Sequence, residues 1–295
     1  MIHFIENEGE GFFVERLIYM NRKIALLTKH NKGKVIKPIL EKETGCSLIV
    51  ETRFDTDKLG TFSREIKRPK SQMDTARIKI SKGMKLLKTD IAIASEGSFG
   101  SHPFVPIPWN VELVLLYDKK EDMEICGVYE GAETNFSHLK TNSFNDALIF
   151  SEKIGFPEHY LILRPDNEYS KTIIKDIDSS YKLKDAFSFC MSKSREGTVF
   201  LETDMRAHAN PTRMNNIEKA TQDLISKLLS FCPDCGAPGF IVNEKIKGLP
   251  CELCGLPSEM NLKYIRKCYK CKFTKEQLHP DGKFAPAQHC NYCNP

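Results

Sequence analysis

Eight of the eleven cysteines in this 295-residue chain fall in four Cys-x-x-Cys pairs: Cys232/Cys235, Cys251/Cys254, Cys268/Cys271 and Cys290/Cys293. A Cys-x-x-Cys turn offers two thiolates from one knuckle, and two knuckles complete a tetrahedron around zinc. Pairing the knuckles in sequence encloses fifteen residues (236 to 250) and eighteen (272 to 289), both within the range of four-thiolate zinc ribbons. Sequential pairing is therefore the expectation, although the spacing also accommodates an interleaved arrangement. Four thiolates leave no open coordination position, so two structural zinc ions are expected rather than catalytic ones. Metal would supply the folding energy that a loop-rich segment of this length lacks in its core. Residues 232–295 thus read as a tandem four-cysteine zinc-ribbon region.

The remaining cysteines, Cys46, Cys126 and Cys190, stand alone in apolar surroundings. Metal-binding knuckles fit a reducing compartment. The longest apolar run, Val111 to Tyr117, contains Glu112 and is too short for a bilayer, and no basic-then-apolar leader opens the chain. A cytoplasmic protein with no membrane partner is the expectation.

Net charge is only +4, which argues against a general polycation. The cysteine region nevertheless carries nine Lys/Arg against six Asp/Glu, so +3 of the total lies there. Residues 263–275 hold six basic side chains, no acidic one, and three aromatics, Tyr264, Tyr269 and Phe273. Cations that neutralise phosphates and rings that stack on bases make this stretch a candidate nucleic-acid contact.

Upstream, apolar runs alternate with amphipathic segments from about residue 20. Lys23 to Thr28, Ser47 to Val50 and Asp90 to Ala94 read as strands, and Met73, Ala76, Ile80, Met84 and Leu87 form one helical stripe. Val111–Tyr117 and Glu124–Tyr129 read as a hairpin. The expected architecture is an α/β domain over 20–231 with a mixed, mostly parallel sheet flanked by helices. An N-terminal extension over 1–19 precedes it, and the two small zinc ribbons follow.

Three polar turns follow predicted strands, where open α/β sheets bind ligands. The first holds Thr28, Lys29 and Lys34. The second runs from Ser95 to Pro103 and holds Glu96 beside Gly97 and Gly100. The third, Glu202 to Arg213, packs Asp204, Arg206, His208 and Arg213 before a helix opened by Asn210-Pro211. The alternatives are solvated ion pairs or tight turns without a ligand.

These motifs resemble a bacterial family known only as a domain of unknown function. The matching stretches are Thr28-Lys29-His30, Asp57 to Phe62, Ser95 to Gly100, Pro108-Trp109-Asn110, Glu202 to Met214 and the cysteine region. The resemblance implies architecture and no activity. A more distant similarity is to the house-cleaning pyrophosphatases that act on inosine and xanthosine triphosphates. It rests on Thr28 with Asn31 to Lys34, on Ala76-Arg77-Ile78-Lys79, on Glu96-Gly97 and on His208 to Arg213. The spacing from Thr28 to Asn31 is one residue longer than in that family, and the zinc region is foreign to it.

The expected function is metal-dependent hydrolysis of a nucleotide or another phosphoanhydride. Thr28, Lys29, Lys34, Arg206 and Arg213 would bind phosphate, Glu96 and Asp204 would hold Mg or Mn, and His208 would act as acid or base. The alternative is a non-catalytic zinc-ribbon protein that binds nucleic acid or a protein partner.

Overall fold

A computed structural model describes residues 17–56, 65, 70–102 and 104–294. Most of the expected N-terminal extension, the Asp57 to Phe62 motif, Lys67 to Pro69 and Pro103 lie outside the described residues. The chain forms two compact units, Met1–Leu224 and Ile225–Pro295.

The first unit contains two sheets. In the first sheet, β1 (Lys23–Leu27) lies between β2 (Ser47–Glu51) and β3 (Ile91–Ser101), followed by β4 (Pro108–Asp118) and β5 (Met123–Gly131). The crossovers through α1 (Gly33–Thr44) and α2 (Gln72–Leu87) make β1 parallel to both neighbours, while β3, β4 and β5 form an antiparallel meander. The second sheet, with order β6-β9-β7-β8, comprises β6 (His138–Thr141), β7 (Leu161–Pro165), β8 (Ile174–Ile177) and β9 (Val199–Thr203). All its pairings are antiparallel.

The expectation of a mostly parallel sheet is corrected: strand pairing is mostly antiparallel. Outside the expected hairpin, alternating strands and helices suggested βαβ crossovers. Yet α3 (Phe144–Lys153) and α4 (Ser180–Lys193) instead cover the antiparallel second sheet, burying Ala147, Phe150, Leu183 and Phe187 against Leu161, Leu163 and Leu201. Hydrophobic period identifies an element but not the strand it pairs with.

The first sheet is buried on both faces. Ala25, Ala92, Ala94, Leu113 and Leu115 pack under α2 through Ala76 and Ile80. On the way into α5 (Pro211–Leu228), Asn210 caps the helix by accepting the Arg213 backbone N–H at 3.0 Å. At Gly127 on β5 a Cβ would lie 2.1 Å from the Ala220 carbonyl oxygen, so only glycine lets α5 approach this closely.

In the second unit, β10 (Val242–Lys247), β11 (Asn261–Lys267) and β12 (Thr274–Leu278) form an antiparallel meander. Its small apolar cluster holds Cys232, Ala237, Phe240 and Cys268, with Tyr269 against it. No helix among the described residues is long and apolar enough to cross a membrane.

Candidate functional site

The cysteines make two four-thiol sets, Cys232, Cys235, Cys268 and Cys271, and Cys251, Cys254, Cys290 and Cys293, with the sulfurs of each set within 4.8 Å of one another. Cys232 and Cys271 stand 3.6 Å apart, as do Cys235 and Cys268. Cys251–Cys293 and Cys254–Cys290 measure 3.9 and 3.7 Å. A zinc tetrahedron with bonds near 2.3 Å has a sulfur–sulfur edge of about 3.8 Å, so the sets fit the ion.

The knuckles are built alike. Backbone N–H groups of Gly236, Gly255, Lys272 and Asn294 donate to the carbonyls of Cys232, Cys251, Cys268 and Cys290. Gly236 and Gly255 take φ of 67° and 73°, the left-handed region where glycine is unstrained.

Sequential pairing is corrected to interleaved pairing, first knuckle with third and second with fourth. The reason is topological. Each strand of the meander carries the chain from one end of the sheet to the other, so successive knuckles alternate ends. The two sites therefore share one three-stranded sheet and are not two separate ribbons.

In the first unit, a charged centre forms beside the carboxyl end of β1. Glu96 does not sit in a loop as expected. It lies inside the eleven-residue β3, which continues through Gly97 and Gly100 in unbroken register with β4. Alternation along β3 turns Glu96 toward α2, where its carboxylate pairs with Lys79. Ser95 and Gly97 face the other way. There Lys32, the residue capping α1, donates to the Ser95 carbonyl at 2.7 Å and to its hydroxyl at 3.3 Å.

Gly97 lies opposite Glu112 of β4, and Glu112 accepts the Arg213 Nε at 2.8 Å. A Cβ on Gly97 would fall 2.5 Å from Glu112 Oε1 and 2.6 Å from an Arg213 nitrogen. Arg213 also donates to the Met205 carbonyl and lies 5.2 Å from the Phe99 ring centroid. Asn110 donates to the Ser98 carbonyl and to Glu112, while Asn216 donates to Asn110 at 2.8 Å.

Lys32, Glu96, Glu112 and Arg213 are 6%, 2%, 0% and 1% exposed, so this is an interior ionic network. Burial, reinforced by the nearby Arg213 charge, pushes Lys32 down to about 7, with Glu96 and Glu112 opposing.

A rim lies beside this centre. His30, from the turn after β1, stacks on His208 with ring centroids 5.2 Å apart, and His208 Nε2 lies 3.5 Å from Asp176. Arg206 is held by the buried Asp204 and by Asp176 at 2.7 Å. Burial works to raise the Asp176 pKa, but the Arg206 charge and the His208 and Arg206 hydrogen bonds outweigh it and leave it below the usual value.

Among the expected site residues, Arg213 is joined to the β3–β4 core and His208 to His30. Thr28 is buried, its N–H bonded to the Glu51 carbonyl. Lys29 pairs with Asp55 at 2.9 Å, and Lys34 is exposed on the first turn of α1. Glu96 and Asp204 pair with different cations. Among the described residues, only the two cysteine sets bring three or more metal-ligating side chains together. Lys32 and Glu112 were missed. One lysine among three in a polar turn and a glutamate inside an apolar strand carry no periodic signal. The acid in the otherwise apolar Val111–Tyr117 run was the one available clue.

No curated protein and no solved structure matches this chain. A family described as Domain of unknown function (DUF6671) matches residues 79–295, a span that includes Glu96, Glu112, Arg213 and all eight paired cysteines. The chain belongs to the DUF6671 family.

Proposed function

We propose that the first unit is a hydrolase of nucleotide phosphoanhydrides, with its phosphate site at Lys32 and Arg213. The observation that carries this reading is a buried imbalance of charge. Among the described residues, the buried Lys32 feels two further cations, the half-buried Lys79 and the buried Arg213, and two carboxylates, Glu96 and Glu112, which are already paired with Lys79 and Arg213. Uncompensated buried charge costs several kcal/mol, and here the cost appears as the lowered pKa of Lys32. A phosphate would supply the missing negative charge between the Lys32 ammonium and the Arg213 guanidinium. His208, beside His30 and Asp176 on the rim, would take the proton from the attacking water. A divalent ion, Mg or Mn, would reach the site with the polyphosphate and help neutralise it. The Lys79–Glu96 pair joins two of the stretches that resemble the inosine and xanthosine triphosphate pyrophosphatases, which supports nucleoside triphosphates as the substrate class.

The test is product release from a panel of nucleoside triphosphates with Mg or Mn, using the full chain. Phosphate or pyrophosphate release is expected, falling on the order of 100-fold in His208→Ala, a typical contribution of acid–base catalysis. If no triphosphate is hydrolysed and none shifts the melting temperature, the reading fails.

A second reading concerns the zinc unit. Lys245 and Gln277 stand opposite Tyr264, and Lys275 stands opposite Arg266, so these side chains share one sheet face. Lys245 Nζ lies 5.6 Å from the Tyr264 ring centroid. Lys263 is on the other face, neutralised by Glu276 at 2.9 Å. The Lys245–Tyr264–Arg266 face has the chemistry of a single-strand nucleic-acid platform. Salt-sensitive binding of an RNA or DNA oligonucleotide should weaken in Arg266→Glu and Lys275→Glu and persist in Lys263→Glu. Equal loss from both faces would reject it.

A further inference from the structure

At the other end of the first sheet, where β1 and β3 begin, a cleft of about 1000 Å³ opens between α2 and the β4–β5 turn. Its size is ample for a small-molecule ligand. Ile80, Met84 and the half-buried Tyr117 give it apolar contact surface. Four exposed lysines line it, Lys23, Lys85, Lys88 and Lys119, and none has an ion pair among the described residues. Three further cations, Arg22, Arg77 and Lys120, are held by Asp90 or Glu124, the two carboxylates in the lining.

Seven cations against two carboxylates leave +5 on the lining, more than the +4 of the whole chain. Asp118 and Asp74, which also hold Arg22 and Arg77, reduce this only to +3. Lys85 and Lys88 alone would be ordinary, because lysines complement the negative end of a helix. Lys23 comes from β1, however, and Lys119 follows β4, so the cations converge from separate elements. A concentration of unpaired cations around a ring and a thioether suits a ligand that carries several negative charges and one flat apolar group.

We propose that this cleft is a second ligand site, separate from the Lys32–Arg213 centre, that takes a nucleoside polyphosphate with its base against Tyr117 and Met84 and its phosphates among Lys85, Lys88 and Lys119. Occupancy at this end leaves the charged centre free, so the site can bind nucleotide whether or not the other centre hydrolyses it.

The test is calorimetric titration of the full, zinc-loaded chain with ATP and with inorganic tripolyphosphate, in wild type and in Lys32→Met. One saturable ATP site should remain in Lys32→Met, because that change touches only the other centre. In the same background, Lys85→Glu/Lys88→Glu should weaken ATP binding by roughly tenfold or more, about the value of one charged hydrogen bond. Both lysines are exposed, so unchanged melting will exclude misfolding; Lys119→Glu is an independent second variant. Tyr117→Ala should weaken ATP and spare tripolyphosphate. The proposal is overturned if Lys32→Met removes all ATP binding, if the charge reversals leave binding intact, or if ATP and tripolyphosphate bind equally.

Discussion

In the α/β unit, ionisable side chains from α1, α2, α5, β3 and β4 lie inside a structure assembled by apolar packing. In the zinc unit, eight thiols are distributed over a three-stranded sheet whose apolar cluster numbers four buried residues. The first region can bury charge because hydrophobic contacts around it supply the stability. The second lacks such a core, and metal held by its thiolates would take the place of side-chain packing. Buried charge therefore subtracts from stability in the first unit, whereas metal-bound thiolates would supply it in the second.

Removing zinc breaks the comparison most severely. A chelator should unfold residues 225–295 while the α/β unit retains its amide-exchange protection, because each structural zinc contributes roughly 10–16 kcal/mol. Cys235→Ser sharpens the same point. Interleaved pairing predicts that Cys268 and Cys271 become the newly alkylated thiols, whereas labelling of Cys251 and Cys254 would restore sequential pairing.

Within the α/β unit, Arg213→Met removes the guanidinium that pairs with the buried Glu112 and should cost about 3–5 kcal/mol in urea unfolding. The double change Arg213→Met/Glu112→Leu should recover part of that loss, since it removes both charges.

Lys32 gives a pH signature that the zinc unit cannot imitate. Its pKa is about 7 in the folded chain against an ordinary 10.5, so between those values the unfolded chain binds the additional proton. The penalty for burying Lys32 is fully present below pH 7 and is relieved as pH rises toward 10.5. The α/β unfolding midpoint should therefore rise with pH across this window, by the equivalent of a few kcal/mol, and the rise should flatten in Lys32→Met. A flat wild-type profile would show that Lys32 is not buried as a strained cation.

Smaller effects come from backbone contacts. Gly127→Ala places a methyl against the α5 backbone and should cost about 1–3 kcal/mol, a typical overpacking penalty. Ser71→Ala removes the oxygen that accepts the Asp74 N–H at 3.1 Å and caps α2, worth about 1 kcal/mol. Both should lower α/β stability and leave zinc content unchanged.

Much of this organisation was legible residue by residue. The cysteine knuckles, the strands Lys23–Leu27 and Ser47–Glu51, the α2 stripe and the Asn210-Pro211 helix start depend on local chemistry, and all appear. The charged turns were recognised as a group, and His30 does meet His208. The errors share one cause. Gly97 and Gly100 suggested a loop, but the close approach that Gly97 allows is to Glu112 and Arg213 across a continuing strand. Lys29 and Lys34 were preferred to Lys32 because sequence cannot show which of three neighbouring lysines turns inward.

Local spacing by itself determined that these cysteines come as two-thiolate knuckles, that metal is the economical use of them, and that strands and helices alternate before them. Only the tertiary structure decided which knuckle meets which, because an antiparallel strand reverses the chain and sends successive knuckles to opposite ends. It also decided that Glu96 turns to α2 while Glu112 meets Arg213 beside Gly97, since side chains one residue apart on a strand face opposite ways.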